Sequence, residues 1–382
     1  MKSNITVTFF SNYLLHHQTP FCEAMIKRIG ANFRFVATEP TPEFRLKIGY
    51  HDFSDVSYVV YSYKNDDEHK KALKLATESD VVIIGSAPDY FIEERVRQNK
   101  LTFRYSERFF KEGKIRLLDP RVFMYHYKQD FKYRSKNLYM LCASAYTAPD
   151  CRFILSYPEK TYKWGYFPET ALLPYDQIAK QKQSGDKVKI LWASRFIKYK
   201  HPEDAINLAI KLKAAGLDFQ IEMLGIGELR QKCEDTVREK GLNDVISFTG
   251  PFSPKEVLER MRSADIFLFT SDKGEGWGAV LNESMSNACA VVANREIGSV
   301  PYLIENGKNG LIYDRKDKNS LYQCVKKLVE NEPLRKTLGK NAYDTIKTVW
   351  NAETAADRLI TLIDCINNGT PVPFTSGPCS KD

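Results

Sequence analysis

Residues 266–283 read Ile266-Phe267-Leu268-Phe269-Thr270-Ser271-Asp272-Lys273-Gly274-Glu275-Gly276-Trp277-Gly278-Ala279-Val280-Leu281-Asn282-Glu283. The apolar run Ile266–Thr270 predicts a strand covered on both faces. A helix pattern starts at Ala279 and runs to Ala288, with Gly276 and Gly278 between the two. Strand, glycine-bearing turn and helix form the repeating unit of a parallel α/β sheet. At such a helix start the unpaired N–H groups and the positive dipole end favour an anion, and glycine lets backbone approach it closely. Glu275 precedes the helix and Glu283 lies about one turn inside it. Carboxylates there can accept hydrogen bonds from hydroxyls. A packed turn with no ligand has the same local pattern.

The alternation extends in both directions. Strands are predicted at Ile5–Phe10, Arg34–Thr38, Tyr58–Tyr61, Val81–Gly85, Thr102–Tyr105 and Tyr139–Ser144 in the first half. In the second half they fall at Lys189–Ala193, Gln220–Leu224, Ile246–Thr249, Ile266–Thr270, Ala290–Ala293 and Leu311–Tyr313. A chain of 382 residues exceeds one ordinary core. The expected fold class is therefore α/β, with two Rossmann-like domains at 1–170 and 188–350. Residues 171–187 are polar and read as a linker. A helix is expected at 351–367, and 368–382 reads as a tail rich in Gly, Pro and Ser.

Composition narrows the function. No apolar stretch reaches the length of a membrane span, and Met1–Phe10 leads into a strand without the pattern of a secretory leader. The eight cysteines are scattered without a Cys-x-x-Cys pair, which fits reduced thiols and a cytoplasmic setting. The net charge is +8, and residues 95–136 carry thirteen Lys/Arg against four Asp/Glu. Aromatics are interleaved there, among them Phe109, Phe110, Phe123, Tyr125 and Tyr127. This pattern suits peripheral contact with an anionic membrane face, and equally a solvated basic surface over an aromatic core. No nucleic-acid-binding module is recognisable.

Further candidates lie at predicted strand ends. Arg195-Phe196-Ile197-Lys198-Tyr199-Lys200-His201-Pro202 follows the strand Lys189–Ala193, where open α/β sheets bind ligands. Two cations there, Arg195 and Lys200, suit a diphosphate and its departure. Gly225-Ile226-Gly227 and Gly250 are glycine-bearing turns at the ends of two more strands. In the first half, His16, His17 and Gln18 stand before a helix with Thr19 as its expected N-cap, and can meet a phosphate or an acceptor. His126 is a further possible contact, although a lone histidine among aromatics is more often a core residue. No Asp-x-Asp is present, so neither a metal nor a cofactor is called for by these residues.

In order, these features resemble family 4 glycosyltransferases of the GT-B class over roughly Val188 to Asp314. The resemblance rests on Arg195 and Lys200, the Gly225/Gly227 turn, Phe248-Thr249-Gly250 and Ser263-Ala264-Asp265. It continues with Glu275-Gly276-Trp277-Gly278, Glu283-Ser284-Met285, Gly298-Ser299-Val300-Pro301 and Glu305-Asn306-Gly307-Lys308-Asn309-Gly310. It implies two Rossmann-like domains facing each other across a cleft, and retaining transfer from a nucleotide-sugar co-substrate to a saccharide or lipid-linked acceptor. By the same resemblance Glu283 holds the ribose, Glu275 contacts the donor sugar, and Arg195 and Lys200 neutralise the diphosphate. Gly276, Trp277 and Gly278 supply backbone donors, and the helix at 351–367 returns to the first domain. The first half departs from the family: its first loop lacks a Gly-Gly pair, and Tyr105-Ser106-Glu107-Arg108 stands where many members have a histidine. Competing readings are another GT-B enzyme, such as a nucleotide-sugar epimerase or a phosphorylase, and a non-catalytic sugar- or nucleotide-binding subunit. The length disfavours the phosphorylase, and the intact Arg195, Lys200, Glu275 and Glu283 disfavour the inactive subunit.

Overall fold

The computed structural model describes residues 5–43, 46, 51, 53–169, 173–182 and 187–382. The chain divides into two units: one combines Met1–Glu169 with Asn351–Asp382, and the other is Thr170–Trp350.

The first unit holds the strands β1 (Val7–Ser11), β2 (Phe33–Ala37), β3 (Val59–Tyr61), β4 (Val81–Ile84), β5 (Thr102–Ser106), β6 (Leu138–Cys142) and β7 (Thr161–Lys163). Their order is β3-β2-β1-β4-β5-β6-β7, and every neighbouring pair is parallel. The second unit holds β8 (Val188–Ala193), β9 (Phe219–Leu224), β10 (Ile246–Thr249), β11 (Ile266–Phe269), β12 (Ala290–Asn294) and β13 (Leu311–Tyr313). Their order is β10-β9-β8-β11-β12-β13, again all parallel. Both are Rossmann-like sheets. Every residue of β1, β4, β11 and β12 is buried, because helices cover both faces. Strand order reverses between β1 and β4 in one sheet and between β8 and β11 in the other. At such a reversal the loops leaving the carboxyl ends diverge and leave a crevice.

Three segments depart from the sequence expectations. Within 171–187, read as a linker, Tyr175–Lys182 forms a helix. Its Ile178 is buried against Ala288 and Tyr343, and the Tyr343 hydroxyl donates to the Leu173 carbonyl at 3.1 Å. The lysines and glutamines around Ile178 masked one apolar face. Residues 171, 172 and 183–186 of that segment lie outside the described residues.

The stretch 368–382 is not a free tail. The helix Ala352–Asn368 ends at Gly369 in the left-handed region, and the chain then covers the edge of the first sheet. Lys163 N donates to Ser380 O (2.9 Å), Cys379 N to Lys163 O (2.7 Å) and Asp382 N to Thr161 O (3.2 Å). Cys379 and Ser380 are fully buried. The short strand β7 is an edge with unpaired backbone groups, and this segment pairs them. The helix itself packs within the first unit on Thr19–Ile29, where Arg28 reaches Asp357 at 2.6 Å and Glu353 at 2.7 Å. That first helix begins at Thr19 with Gln18, not Thr19, as its N-cap.

The basic segment is also less exposed than its composition suggests. Arg95 is fully buried and donates to Thr102 Oγ1 and to the carbonyls of Ala76, Ser79, Asp80 and Leu101. Arg104 is held by Asp89 at 2.6 Å.

Deleting residues 377–382 removes the three backbone bonds at the β7 edge. At about 1 kcal/mol each, denaturant unfolding of the first unit is expected to lose about 3 kcal/mol; an unchanged midpoint would show that the strap contributes nothing.

Candidate functional site

The site is built where β8 and β11 meet. Trp192, on β8, donates its indole N–H to Thr270 Oγ1 (2.7 Å), and that hydroxyl donates onward to the Lys200 carbonyl (2.6 Å). Asp272 N donates to the Tyr199 carbonyl at 2.9 Å. These bonds zip segment 199–201 to the loop after β11. They bring the ammonium of Lys200 onto the carboxylate of Glu275, which also accepts from Ser271 Oγ at 2.9 Å. Lys200 is only 8% exposed. Two residues to which the family resemblance gives separate tasks thus touch one another. Arg195, four residues before Tyr199, is exposed, with its guanidinium donating to the Tyr199 hydroxyl at 2.9 Å.

Glu283 lies in the first turn of the helix Val280–Ser286. It is partly buried, and loss of solvation alone raises its carboxyl, to about 7. Gly276 is buried. Trp277 is fully buried, with its indole N–H on Asn282 Oδ1 (2.9 Å) and its ring beside Tyr302 and Trp350. Its side chain anchors the turn in the core, leaving only its backbone for a ligand. Gly278 has φ +82°, and a Cβ there would stand 2.3 Å from Phe269 Cζ.

The other glycine turns close on neighbouring backbone. A Cβ at Gly225 would lie 1.9 Å from Ser194 O, and one at Gly227 would lie 2.5 Å from Phe196 O. Gly225 N donates to Thr249 O at 3.2 Å. Arg230 clasps the turns together, donating to Gly225 O (2.6 Å), Thr249 O (3.2 Å) and Gly250 O (3.2 Å). Gly225 and Gly227 therefore serve loop packing beside Arg195.

In the first unit, His17 stacks on Tyr166 (4.4 Å between ring centroids) after β1, with His16 edge-on to His17. Gln18 is buried and turned inward: its Oε1 accepts from Leu15 N and its Nε2 reaches Ser11 Oγ. His126 is a core residue. Its Nδ1 meets Asp130 Oδ2 at 2.8 Å, and Tyr157 donates to the other oxygen of Asp130 at 2.6 Å. Its position among aromatic rings gave the signal. The sequence reading gave no role to His201, Asp272 or Arg230, because the bonds that join them to other loops, His201 to Asp272 and Arg230 to Thr249 and Gly250, leave no trace in local patterning.

The fold of the whole chain is that of the GT-B glycosyltransferases. Anabaena HepE, solved in complex with UDP, matches 94% of this chain and 100% of its own with a TM-score of 0.70 at 13% identity. Within the second unit, residues 175–345 match the family described as "Glycosyl transferases group 1". An uncharacterized glycosyltransferase of Methanocaldococcus jannaschii is 32% identical over 179 residues, which are 46% of this chain and 49% of that protein. The alpha-D-kanosaminyltransferase of Streptomyces kanamyceticus is 26% identical over 174 residues, 46% of this chain and 45% of that protein. The chain thus spans about half the length of these relatives.

Two outcomes test the site without a ligand. Because Glu283 binds its proton more tightly when folded, its contribution to stability is present below pH 4.5 and lost as pH rises through about 7. Glu283→Gln removes that slope. Urea unfolding at pH 5 and pH 8 of both proteins measures the difference; equal slopes would contradict it. Lys200→Met strands a buried carboxylate and is expected to cost about 3 kcal/mol, whereas Lys200→Met with Glu275→Leu recovers much of the loss.

Proposed function

We propose that this chain is a retaining glycosyltransferase. It moves a sugar from a nucleoside-diphosphate sugar to a saccharide or lipid-linked acceptor, in the synthesis of surface polysaccharide or a glycoconjugate. The carrying observation is the buried Lys200–Glu275 pair at the β8/β11 reversal, with Glu283 on the helix that follows. Lys200 and Arg195 neutralise the diphosphate as it leaves. Glu275 meets the donor sugar, and Glu283 accepts from ribose hydroxyls, which stabilise its ionised form. The leaving phosphate takes the acceptor's proton, and attack from the same face retains the anomeric configuration. These fixed cations take the place of a divalent metal. The UDP bound by HepE and the transfer named for the kanosaminyl enzyme support the reading.

The acceptor side is assigned to the first unit, around His16 and His17. No helix among the described residues is long and apolar enough to cross a membrane. Ile115 and Leu118 are 72% and 79% exposed, and Phe123, Met124 and Tyr127 are exposed nearby. Lys111, Arg116 and Arg121 accompany them, paired with Glu107, Glu112 and Asp119. This surface suits peripheral docking on an anionic, cytoplasmic membrane face that carries a lipid-linked acceptor.

A thermal-shift screen of UDP-glucose, GDP-mannose and ADP-glucose tests the donor. One base is expected to raise the melting temperature, the gain being about 2.7 kcal/mol at a hundredfold excess over Kd. Glu275→Ala is expected to lower turnover of that donor by about 100-fold or more; near-normal turnover would refute the assignment. Flotation with phosphatidylglycerol vesicles, lost at high salt and in Ile115→Asp/Leu118→Asp, tests the membrane surface. Absence of flotation would remove it.

A further inference from the structure

His201 lies immediately after Lys200 and holds φ +49° and ψ 58°, the left-handed region that L residues rarely adopt. It is 8% exposed, so its imidazole is buried among charged groups. Nε2 stands 3.0 Å from Asp272 Oδ2. Nδ1 stands 2.8 Å from both Glu203 Oε1 and Arg315 Nη2. Arg315 also reaches Asp204 Oδ2 at 2.8 Å. Glu203 and Asp204 belong to the helix that starts at Pro202, Asp272 to the loop after β11, and Arg315 to the segment after β13. Lys200 precedes the ring in sequence.

Because Arg315 can only donate, Nδ1 accepts from it when the ring is neutral, and the proton then sits on Nε2. When the ring is charged, Nδ1–H turns to Glu203 and Nε2 keeps its proton. Burial opposes the charge, but the hydrogen bonds to Glu203 and Asp272 outweigh it and raise the pKa of His201. In both states Nε2–H points at Asp272.

Asp272 controls the acidic loop. Its Oδ1 accepts Gly274 N at 2.7 Å, and its carbonyl accepts Glu275 N at 3.0 Å. A push on the Asp272 carboxylate therefore moves the backbone that carries Glu275.

We propose that His201 is a positioning residue for Glu275: through Asp272, it fixes where the carboxylate beside Lys200 meets the donor sugar. The inference rests on the reading of Glu275 as the sugar contact. The left-handed backbone directs the ring across to the other loop, a direction that an ordinary helix start would not give it.

The test uses His201→Gly, since glycine adopts this backbone without strain and only the imidazole is lost. His201→Gln restores an N–H donor near Nε2 without a titratable ring. Asp272→Ala removes the acceptor instead and serves if the glycine variant melts early. Calorimetric titration with UDP, GDP and ADP and with UDP-glucose, GDP-mannose and ADP-glucose separates the nucleotide from the sugar. In His201→Gly the affinity added by the attached sugar is expected to shrink by about tenfold, one charge-assisted hydrogen bond's worth. Bare diphosphate affinity stays within about twofold, and His201→Gln restores most of the difference. An undiminished sugar contribution, an equal loss for bare diphosphate, or no rescue by Gln would overturn the role of His201. If the wild-type chain binds none of the six, the donor-site reading itself fails; if no attached sugar changes the affinity, the reading of Glu275 as the sugar contact fails.

Discussion

The Lys200–Glu275 ion pair is a buried charge pair, and buried charges are costly to leave unpaired. Each member exists in that place only because the other does. Their meeting is enforced by backbone rather than by attraction alone. Thr270 and Asp272 bond the carbonyls of Lys200 and Tyr199, and Trp192 fixes Thr270 from β8. The two loops that carry the pair leave adjacent parallel strands at the point where strand order reverses. In the proposed reading, this pair of opposite charges meets the diphosphate of the donor. On that reading Lys200 gives its charge to the diphosphate, while Glu275 keeps the hydrogen bond from Ser271 Oγ.

The surrounding loops are packed to keep this geometry. Gly225, Gly227 and Gly278 are glycines because a Cβ would strike Ser194, Phe196 or Phe269. Trp277 plugs the turn into the core beneath Tyr302 and Trp350, and Arg230 gathers three loop carbonyls with one guanidinium. The site is therefore preorganised by its supports. The substrate does not have to fold it.

Much of the scaffold was legible because parallel strands announce themselves as short apolar runs. Ile266-Phe267-Leu268-Phe269 could hardly be anything else between a polar helix and a glycine turn. β7 was not legible: Thr161-Tyr162-Lys163 is too short and polar to stand out. The helix around Ile178 was hidden by its lysines and glutamines, and the buried end at Cys379 and Ser380 by its Gly and Pro content. In the site, Glu275, Glu283, Arg195 and Lys200 were visible as residues, but the direct contact of Lys200 with Glu275 was not. His201 and Asp272 are 71 positions apart. Their bond depends on a left-handed backbone that no local pattern encodes at a histidine. Arg95 looked like part of a basic surface and is instead the hydrogen-bond hub of a core.

The most direct check of the central claim compares wild type and Lys200→Met in calorimetric titrations with uridine, guanosine and adenosine and with their 5′-diphosphates. If Lys200 is the cation that receives the diphosphate, the variant loses about tenfold or more in affinity for the bound diphosphate and keeps its affinity for the matching nucleoside. Equal affinity of both proteins for every diphosphate would contradict the account.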